Sequence, residues 1–519
     1  MMRWEVTEDN RWIKLIEYDD ELDLRQVEVS FTRKVANWHF LKKQKKYKGW
    51  DGEVQFLQKR RYLPIGLWHE LLEINEKFKL GISIHGLERV INREIKFSDF
   101  NDWVDETFKD GIGGDPEKKP RDYQVEAAYK IIKFQISSQE LATNAGKTFI
   151  TFMVLAYLFE HGMAKKFLMI VPTTNLVIQG VEDFQEYGAH KYGMKFQQIH
   201  ADSKKINSDA NVVMGTYQSL VKKDGEWLSQ FDVVFVDEAH STPAVSVKKI
   251  IAQCTGSVYR FGLSGTLTAV GEETADYFTI QMCLGPMVGK VTPDFLIEND
   301  YATPVDIRII RMKYLPDGTI ERLHKLRKNK RDLSGSDIYQ IEKKLVTQSN
   351  MRLRFVTETI AKSTKNSLVL FQSVEDGYGK SIFDRLREIT HDKEVFYIDG
   401  DTKNDLRDDF KKRLKLGTGK ILVASFGTFS TGISINNIHN IFLVESYKSE
   451  NIIKQSIGRG LRKHESKDKV RIIDFVDDFT WKGAPNYLME HSAERIRIYE
   501  KEKFPYQTFD VDLTSLFSI

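Results

Sequence analysis

Two cysteines in 519 residues, Cys254 and Cys283, are too few for a disulfide framework and leave no cysteine-based zinc site. A reduced interior is therefore the expected compartment. Long apolar runs are also missing: the longest, Phe149 to Phe159, is too short to cross a bilayer. Met1 leads into MRWEVTEDNRW, which lacks the apolar segment of a secretory leader. A cytoplasmic chain with no membrane association is expected. Nor does charge of one sign dominate: 77 Lys and Arg stand against 74 Asp and Glu, a net +3, so the overall balance carries no signal for nucleic acid. What is present is an apolar fraction of 41%, enough for ordinary globular cores in two to four domains.

Charge is informative locally. Between Arg33 and Arg61 a cluster that includes Lys42, Lys43, Lys45, Lys46 and Lys48 is opposed only by Asp51 and Glu53, with Trp38, His39, Phe40, Tyr47 and Trp50 interleaved. A solvated face explains a lysine run; aromatics mixed into it suit a nucleic-acid surface equally well.

The first 110 residues combine short alternating stretches (Val27 to Phe31, Glu53 to Leu57) with a helix predicted near Trp68 to Phe78, hence a small α+β domain with hairpin elements. Asp110 to Pro120, DGIGGDPEKKP, has linker composition, and the linker is set at residues 111–120. From Arg121 to about residue 298, β-runs such as Phe167 to Val171, Val212 to Gly215, Val233 to Val236 and Arg260 to Ser264 alternate with helical segments. This is the pattern of βαβ units in a doubly wound parallel sheet. A second α/β region, residues 299–519, offers strands at Ser367, Val395, Lys420, Asn440 and Val470, a basic segment at Glu321 to Arg331, and a final helix at Ala493 to Lys503.

Two segments carry the chemistry. Ala142 to Thr148, ATNAGKT, opens the apolar helix, so that backbone N–H groups of Thr143, Asn144, Ala145 and Gly146 and the helix N-terminus point at a phosphate. Lys147 would reach the β/γ-phosphates, and Thr148 would offer its hydroxyl to Mg²⁺. Val236 to His240, VDEAH, ends a continuous apolar strand; Asp237 can hold Mg²⁺ and Glu238 can orient or deprotonate the attacking water. The pair specifies an ATP-hydrolysing site. Upstream, Arg121 and Gln124 in RDYQ are candidates for the adenine, because a glutamine amide donates and accepts against N6 and N7.

Pro172, Thr173 and Thr174, like Thr216 and Gln218, come after strands and could grip a phosphodiester backbone; ordinary turn chemistry accounts for them too. Ser264-Gly-Thr266 could couple the nucleotide to the nucleic-acid side. In the second region Gln455 to Arg462, QSIGRGLR, places Arg459 and Arg462 three apart, expected on one helix face. There they would stabilise charge on a transferred phosphoryl, an effect of ~10³–10⁵ in rate elsewhere. Ser430, Thr431 and Gly432 add hydroxyls and a flexible backbone at the same cleft.

The order of these segments resembles superfamily 2 helicases. That resemblance implies two RecA-like doubly wound lobes binding ATP between them, with Gln124 in the Q motif, ATNAGKT as motif I, VPTTN as Ia, DEAH as II, SGT as III, STGIS as V and QSIGRGLR as VI. Two residues depart from the pattern, Leu141 and Asn144, the latter where Gly is common; a non-glycine there asks for a loop without positive φ. YKGWDGEV, RYLPIGL, ASFGTFSTGIS and GLRKH resemble, more narrowly, the UvsW-type recombination helicases of tailed phages. That family implies ATP-dependent action on branched DNA (Holliday junctions, forks, R-loops, including RNA–DNA hybrid) and a small N-terminal nucleic-acid-binding domain. It also implies a bacterial host cytoplasm, with phage recombination or single-strand-binding proteins as candidate partners of a monomer. Two alternatives keep parts of this reading. A duplex translocase would act without strand separation, and a nucleic-acid scaffold would use ATP only as a lock; intact Glu238, Arg459 and Arg462 speak against the scaffold.

Overall fold

In the computed structural model the described residues are 1–36, 38–42, 49–92, 94–201, 203, 207–268, 271–272, 274–314, 318–328, 334–372, 374–430 and 435–513, without the side chains of Phe40, Asn404, Phe429 and Ser430. They form two compact units, Met1–Val291 and Thr292–Ile519.

In the first unit, strands β1 (Met2–Val6), β2 (Trp12–Tyr18), β5 (Tyr62–Pro64) and β6 (Ile82–His85) form a sheet in the order β5-β2-β1-β6. β3 (Thr32–Lys34) and β4 (Glu53–Gln55) pair separately and antiparallel. The helix expected near Trp68 spans Trp68–Phe78. The Val27 to Phe31 stretch is not a strand: it closes the helix Glu21–Ser30, whose N-cap Asp20 accepts from the N–H of Leu22 at 2.7 Å. Leu24, Val27 and Phe31 are buried at spacings of three and four, a helical face that an alternating reading of five residues overlooks. One apolar core joins this N-terminal region to the rest of the unit, running from Met2, Trp4 and Phe31 to Ile136, Tyr277 and Phe278. Gly66 sits against the helix Ala275–Leu284 so closely that a Cβ would lie 2.1 Å from the carbonyl oxygen of Gln281.

The larger sheet of this unit holds β7 (Ile136–Leu141), β8 (Phe167–Val171), β9 (Phe196–Ile199), β10 (Val212–Thr216), β11 (Val233–Asp237), β12 (Tyr259–Ser264) and β13 (Met287–Val291), ordered β13-β7-β12-β11-β8-β10-β9. Every pairing is parallel. β7 does not stand out as a strand in the sequence because Ser137, Ser138, Gln139 and Glu140 occupy four of its six positions, yet all are buried. Three of them find internal partners: Ser138 bonds to the Gly285 carbonyl, Gln139 to the Ala127 carbonyl, and Glu140 to Thr268 and Lys290.

The second unit repeats the architecture with β14 (Val305–Lys313), β15 (Ser367–Phe371), β16 (Val395–Ile398), β17 (Ile421–Ser425), β18 (Asn440–Leu443), β19 (Val470–Asp478) and β20 (Tyr506–Asp512), all parallel, in the order β16-β17-β15-β18-β19-β14-β20. The five expected strands are present; β14 and β20 are additions. The final helix runs Tyr487–Lys501 and leads into β20. The basic segment is a helix over Gly318–Lys328 with Ile320, Leu323 and His324 buried.

Buried ion pairs anchor the middle of this sheet. Arg352 chelates Asp477 through Nε and Nη2 at 2.7 and 2.9 Å, and Arg495 chelates Asp474 at 2.8 Å through the same two nitrogens. Tyr314 and Tyr499 donate to the same carboxylates. Being three apart in β19, Asp474 and Asp477 face opposite sides of the sheet. Each therefore ties a different helix, Tyr487–Lys501 on one side and Asn350–Ala361 on the other.

Candidate functional site

In the first unit the carboxyl ends of five adjacent strands bring the expected residues to one rim. β7 leads into ATNAGKT, β12 into Ser264-Gly-Thr266, β11 into Glu238, β8 into Pro172-Thr173-Thr174 and β10 into Thr216–Gln218. In parallel α/β sheets this is where ligands bind.

The helix expected after the loop spans Lys147–Glu160, its N-cap Gly146 at φ +82. Asn144 has φ +76, so the expectation of a loop without positive φ is corrected. Asparagine is among the few non-glycine residues that enter the left-handed region at modest cost, and the loop keeps its shape with that side chain in place. Lys147 Nζ lies 3.3 Å from the Leu141 carbonyl oxygen. Lys147, Thr148 and Asp237 line one small cavity of about 60 Å³ together with Asp183 and Gly180.

The helix Asp122–Phe134, with Arg121 as its N-cap, holds Gln124 against the loop. The Gln124 amide donates to the Ala145 carbonyl at 3.0 Å and accepts from the Arg121 N–H at 3.0 Å. A Cβ on Gly146 would stand 2.3 Å from Gln124 Nε2. Tyr123, a member of RDYQ given no role from the sequence, donates to the same Ala145 carbonyl at 3.1 Å. The RDYQ segment thus braces the phosphate loop through two side chains.

Around the paired carboxylates the electrostatics diverge. Burial and the adjacent Glu238 charge push the Asp237 carboxyl up. Burial would raise Glu238 as well, but a bond with His240 and the charge of Lys147 outweigh it and hold Glu238 below the usual carboxylate range. His240 Nδ1 lies 3.3 Å from Glu238 Oε2, 2.9 Å from Ser264 Oγ and 3.3 Å from Thr266 Oγ1. A carboxylate only accepts, so with Glu238 ionised Nδ1 carries a proton toward it. The fourth residue of DEAH, absent from the sequence-derived candidates, joins Glu238 to the SGT turn. Glu238 itself sits at φ 51 and ψ 54, left-handed for a non-glycine residue.

Thr173 caps the helix Thr174–Glu186, accepting from the Leu176 N–H at 3.4 Å, and Thr216 donates to Ser219 at 3.2 Å. Turn chemistry therefore occupies part of both. Their strands pair in register, Val171 opposite Thr216, so Pro172, Thr174 and the exposed Gln218 share one stretch of rim.

In the second unit Gln455 and Arg459 lie on the helix Glu450–Gly460. Arg462 lies beyond its Leu461 cap, correcting the expectation that both arginines share a helix face. The helix ends pressed on the sheet at Gly460, where a Cβ would meet Ile441 Cδ1 at 2.7 Å and Val470 Cγ2 at 3.0 Å. Lys467, also unmarked by any motif, donates to the Gly460 carbonyl at 2.7 Å; burial, aided by the charge of Arg462, lowers its pKa to about 8. Thr431 and Gly432 lie outside the described residues, as does the side chain of Ser430.

Of the basic cluster, Lys42 and Trp50 are described, whereas Lys43, Lys45, Lys46 and Lys48 lie outside the described residues. Lys34 and Lys42 both approach the Trp38 ring, at 5.3 and 5.4 Å from its centroid, and the Trp50 indole donates to the Glu53 carbonyl at 3.0 Å. Gly52 is required beneath the Trp38 ring, since a Cβ would come within 2.4 Å of it.

Residues 117–269 match the family described as type III restriction enzyme, res subunit, and residues 351–464 match the helicase conserved C-terminal domain. The ATP-dependent DNA helicase UvsW of enterobacteria phage T4 is 32% identical over 485 residues, covering 90% of this chain and 92% of that protein. The chain belongs to the UvsW family of ATP-dependent DNA helicases. As a superfamily 2 member it is an ATP-using enzyme, and its two parallel sheets are the two RecA-like lobes of that superfamily. The crystal structure of T4 UvsW superposes with a TM-score of 0.49 at 28% identity, over 99% of both chains. Dbp5 of S. cerevisiae, solved with RNA and ADP BeF3, shares the helicase fold at a TM-score of 0.51 and 15% identity, over 82% of this chain and 97% of that one.

Proposed function

We propose that this UvsW-family helicase remodels branched DNA, driving branch migration and the unwinding or annealing of strands at Holliday junctions, forks and R-loops. The observation that carries this reading is the reach of the likeness to T4 UvsW, which covers 90% of the chain and so extends beyond the two motor lobes into the N-terminal region. That region supplies the Lys34, Lys42 and Trp38 cluster, cations and an aromatic face of the kind that grips a phosphate backbone and stacks bases.

In the proposed reaction Lys147 and the loop N–H groups of residues 143–146 hold the ATP phosphates, and Arg121 and Gln124 face the adenine. Asp237 and Thr148 suit Mg²⁺: both line the cavity that Lys147 enters, and burial beside the Glu238 charge pushes the Asp237 carboxyl up, a setting that a cation relieves. When bound, the ion would neutralise phosphate charge. Glu238, kept ionised, takes a proton from the water that attacks the γ-phosphorus as the bond to the ADP oxygen breaks. Arg459 and Arg462, with Gln455, stabilise the charge that develops on the phosphoryl group. Pro172, Thr173, Thr174, Thr216 and Gln218, with Ser430 and Thr431, contact the DNA backbone.

ATP turnover measured with single-stranded, duplex, forked and four-way DNA and with an RNA–DNA hybrid, then strand displacement on the best activator, tests the proposal. Forked and four-way substrates are expected to stimulate most and to be resolved into products. Equal stimulation by linear duplex with no displaced strand would replace the proposal with a duplex translocase.

A further inference from the structure

At the amino end of the first unit's parallel sheet, the end opposite the nucleotide loop, a cavity of about 260 Å³ opens between β2 and β5 on one side and β12 with the helices Val245–Gln253 and Ala275–Leu284 on the other. Its walls include Trp12, Pro64, Ile251 and Met282, and both cysteines of the chain line it. Burial pushes the Cys254 thiol up to about 12 and Cys283 to about 11 although cations stand nearby, a sign of apolar surroundings.

Into this space come Arg260, Lys248 and Arg11, while among the described residues that line it there is no Asp or Glu. Arg11 is held by Asp9 at 2.8 Å. Arg260 is different: its Nε is buried without a hydrogen-bond partner, and no carboxylate pairs with its guanidinium among the described residues. Burial pulls its pKa down, and the nearby Arg11 charge, of the same sign, adds to that. A half-buried guanidinium with its Nε buried and no counter-charge is costly, and proteins retain such a group where something anionic meets it. Gln58, Thr255 and Ser257 also line the cavity and offer neutral hydrogen bonds.

We propose that this cavity binds a small organic anion, a carboxylate or phosphate head on an apolar body of about one ring, with the head at Arg260 and Lys248 and the body against Trp12 and Met282. The volume lies just under the roughly 300–1,000 Å³ of drug-sized sites, which limits the ligand to this scale. The site bridges the N-terminal sheet and the first lobe and is separate from the nucleotide loop, because Arg260 is near the start of β12 and Ser264 at its end.

The test titrates the full chain with phenyl phosphate, benzoate and inorganic phosphate while reading the unfolding temperature and the rate of thiol labelling at Cys254 and Cys283. Phenyl phosphate or benzoate at millimolar concentration should raise the unfolding temperature by a few degrees and slow labelling tenfold or more. Arg260→Met should abolish both effects, leave the unfolding temperature of the free protein at or above that of the parent, and leave DNA-independent ATP turnover unchanged. Lys248→Gln, on a half-buried position, should weaken protection several-fold without loss of fold. Protection by inorganic phosphate equal to that by the ring compounds would overturn the apolar half of the proposal. No protection by any of the three, undiminished protection in both variants, or a free Arg260→Met protein that unfolds earlier than the parent would overturn the site.

Discussion

Glu238 is asked to remain ionised inside a site that disfavours charge, and His240 with Lys147 is what keeps it so. Glu238→Gln is therefore expected to bind ATP within a few-fold of the parent while losing ~10²–10⁴ of turnover, the usual worth of a positioned general base. Equilibrium nucleotide binding and steady-state phosphate release separate the two effects; Lys147→Ala should instead weaken binding itself. Asn144 makes a sharper test of backbone geometry. At φ +76 an alanine costs about 1 kcal/mol more than asparagine or glycine. Asn144→Gly should then keep nucleotide affinity and thermal stability, and Asn144→Ala should lower both, as read by nucleotide titration and unfolding. Lys467 provides a pH signature. Its pKa in the folded protein is near 8 against an ordinary 10.5, so below pH 8 the folded state carries the whole penalty of a buried ammonium. Between about pH 8 and 10.5 the unfolded chain holds the extra proton, and stability rises with pH. Lys467→Met should remove that rise, on the order of 3 kcal/mol, in denaturant titrations run across this window.

Among the elements, β19 ties a helix to each face of the second lobe's sheet. Replacing Asp477 by Asn or Arg352 by Met leaves a buried charge without its counterpart, so each single change is expected to cost about 3–5 kcal/mol in equilibrium unfolding. Removing both charges together should cost less than the sum, which a double-mutant cycle measures. β19 also shows what is legible in a sequence. Its leading half, Val-Arg-Ile-Ile, is apolar enough to announce a buried strand, whereas the acids that tie it to two helices gain their meaning only from partners more than twenty and a hundred residues away. The same reason hides β7: a strand written Ser-Ser-Gln-Glu is interior only because Ala127, Gly285, Thr268 and Lys290 come from elsewhere to meet it. DEAH and SGT are legible because their chemistry is local and comes after strands of plain apolar pattern; the phosphate loop is legible from its own residues and from the apolar helix it opens, since the strand before it is polar. Tyr123 and Lys467 are not, since each acts on a backbone carbonyl that sequence spacing does not reveal. Val27 to Phe31 misleads because five residues satisfy a two-residue and a helical period alike.

At the scale of the molecule, net charge near neutrality leaves nucleic-acid affinity to local clusters. If Lys34 and Lys42 each meet a phosphate, Lys34→Gln with Lys42→Gln should flatten the plot of log affinity against log salt by about 0.9 per lost contact on duplex DNA. Fluorescence anisotropy across a salt series measures the slope, and an unchanged slope would return both lysines to a solvated face.

The order of the second sheet has a consequence for how the chain is made. β14 is the first of its seven strands to be synthesised, yet its two neighbours, β19 and β20, are the last. At ~5–20 residues per second on the ribosome, β14 waits roughly ten to thirty seconds for a partner. During that interval Val305, Ile307, Ile309 and Met312, buried in the finished lobe, have no sheet to join. The lobe that carries Arg459 and Arg462 thus closes only as its last strand arrives, and the growing chain presents a sticky, unpaired β-edge to whatever chaperone or neighbouring chain is near.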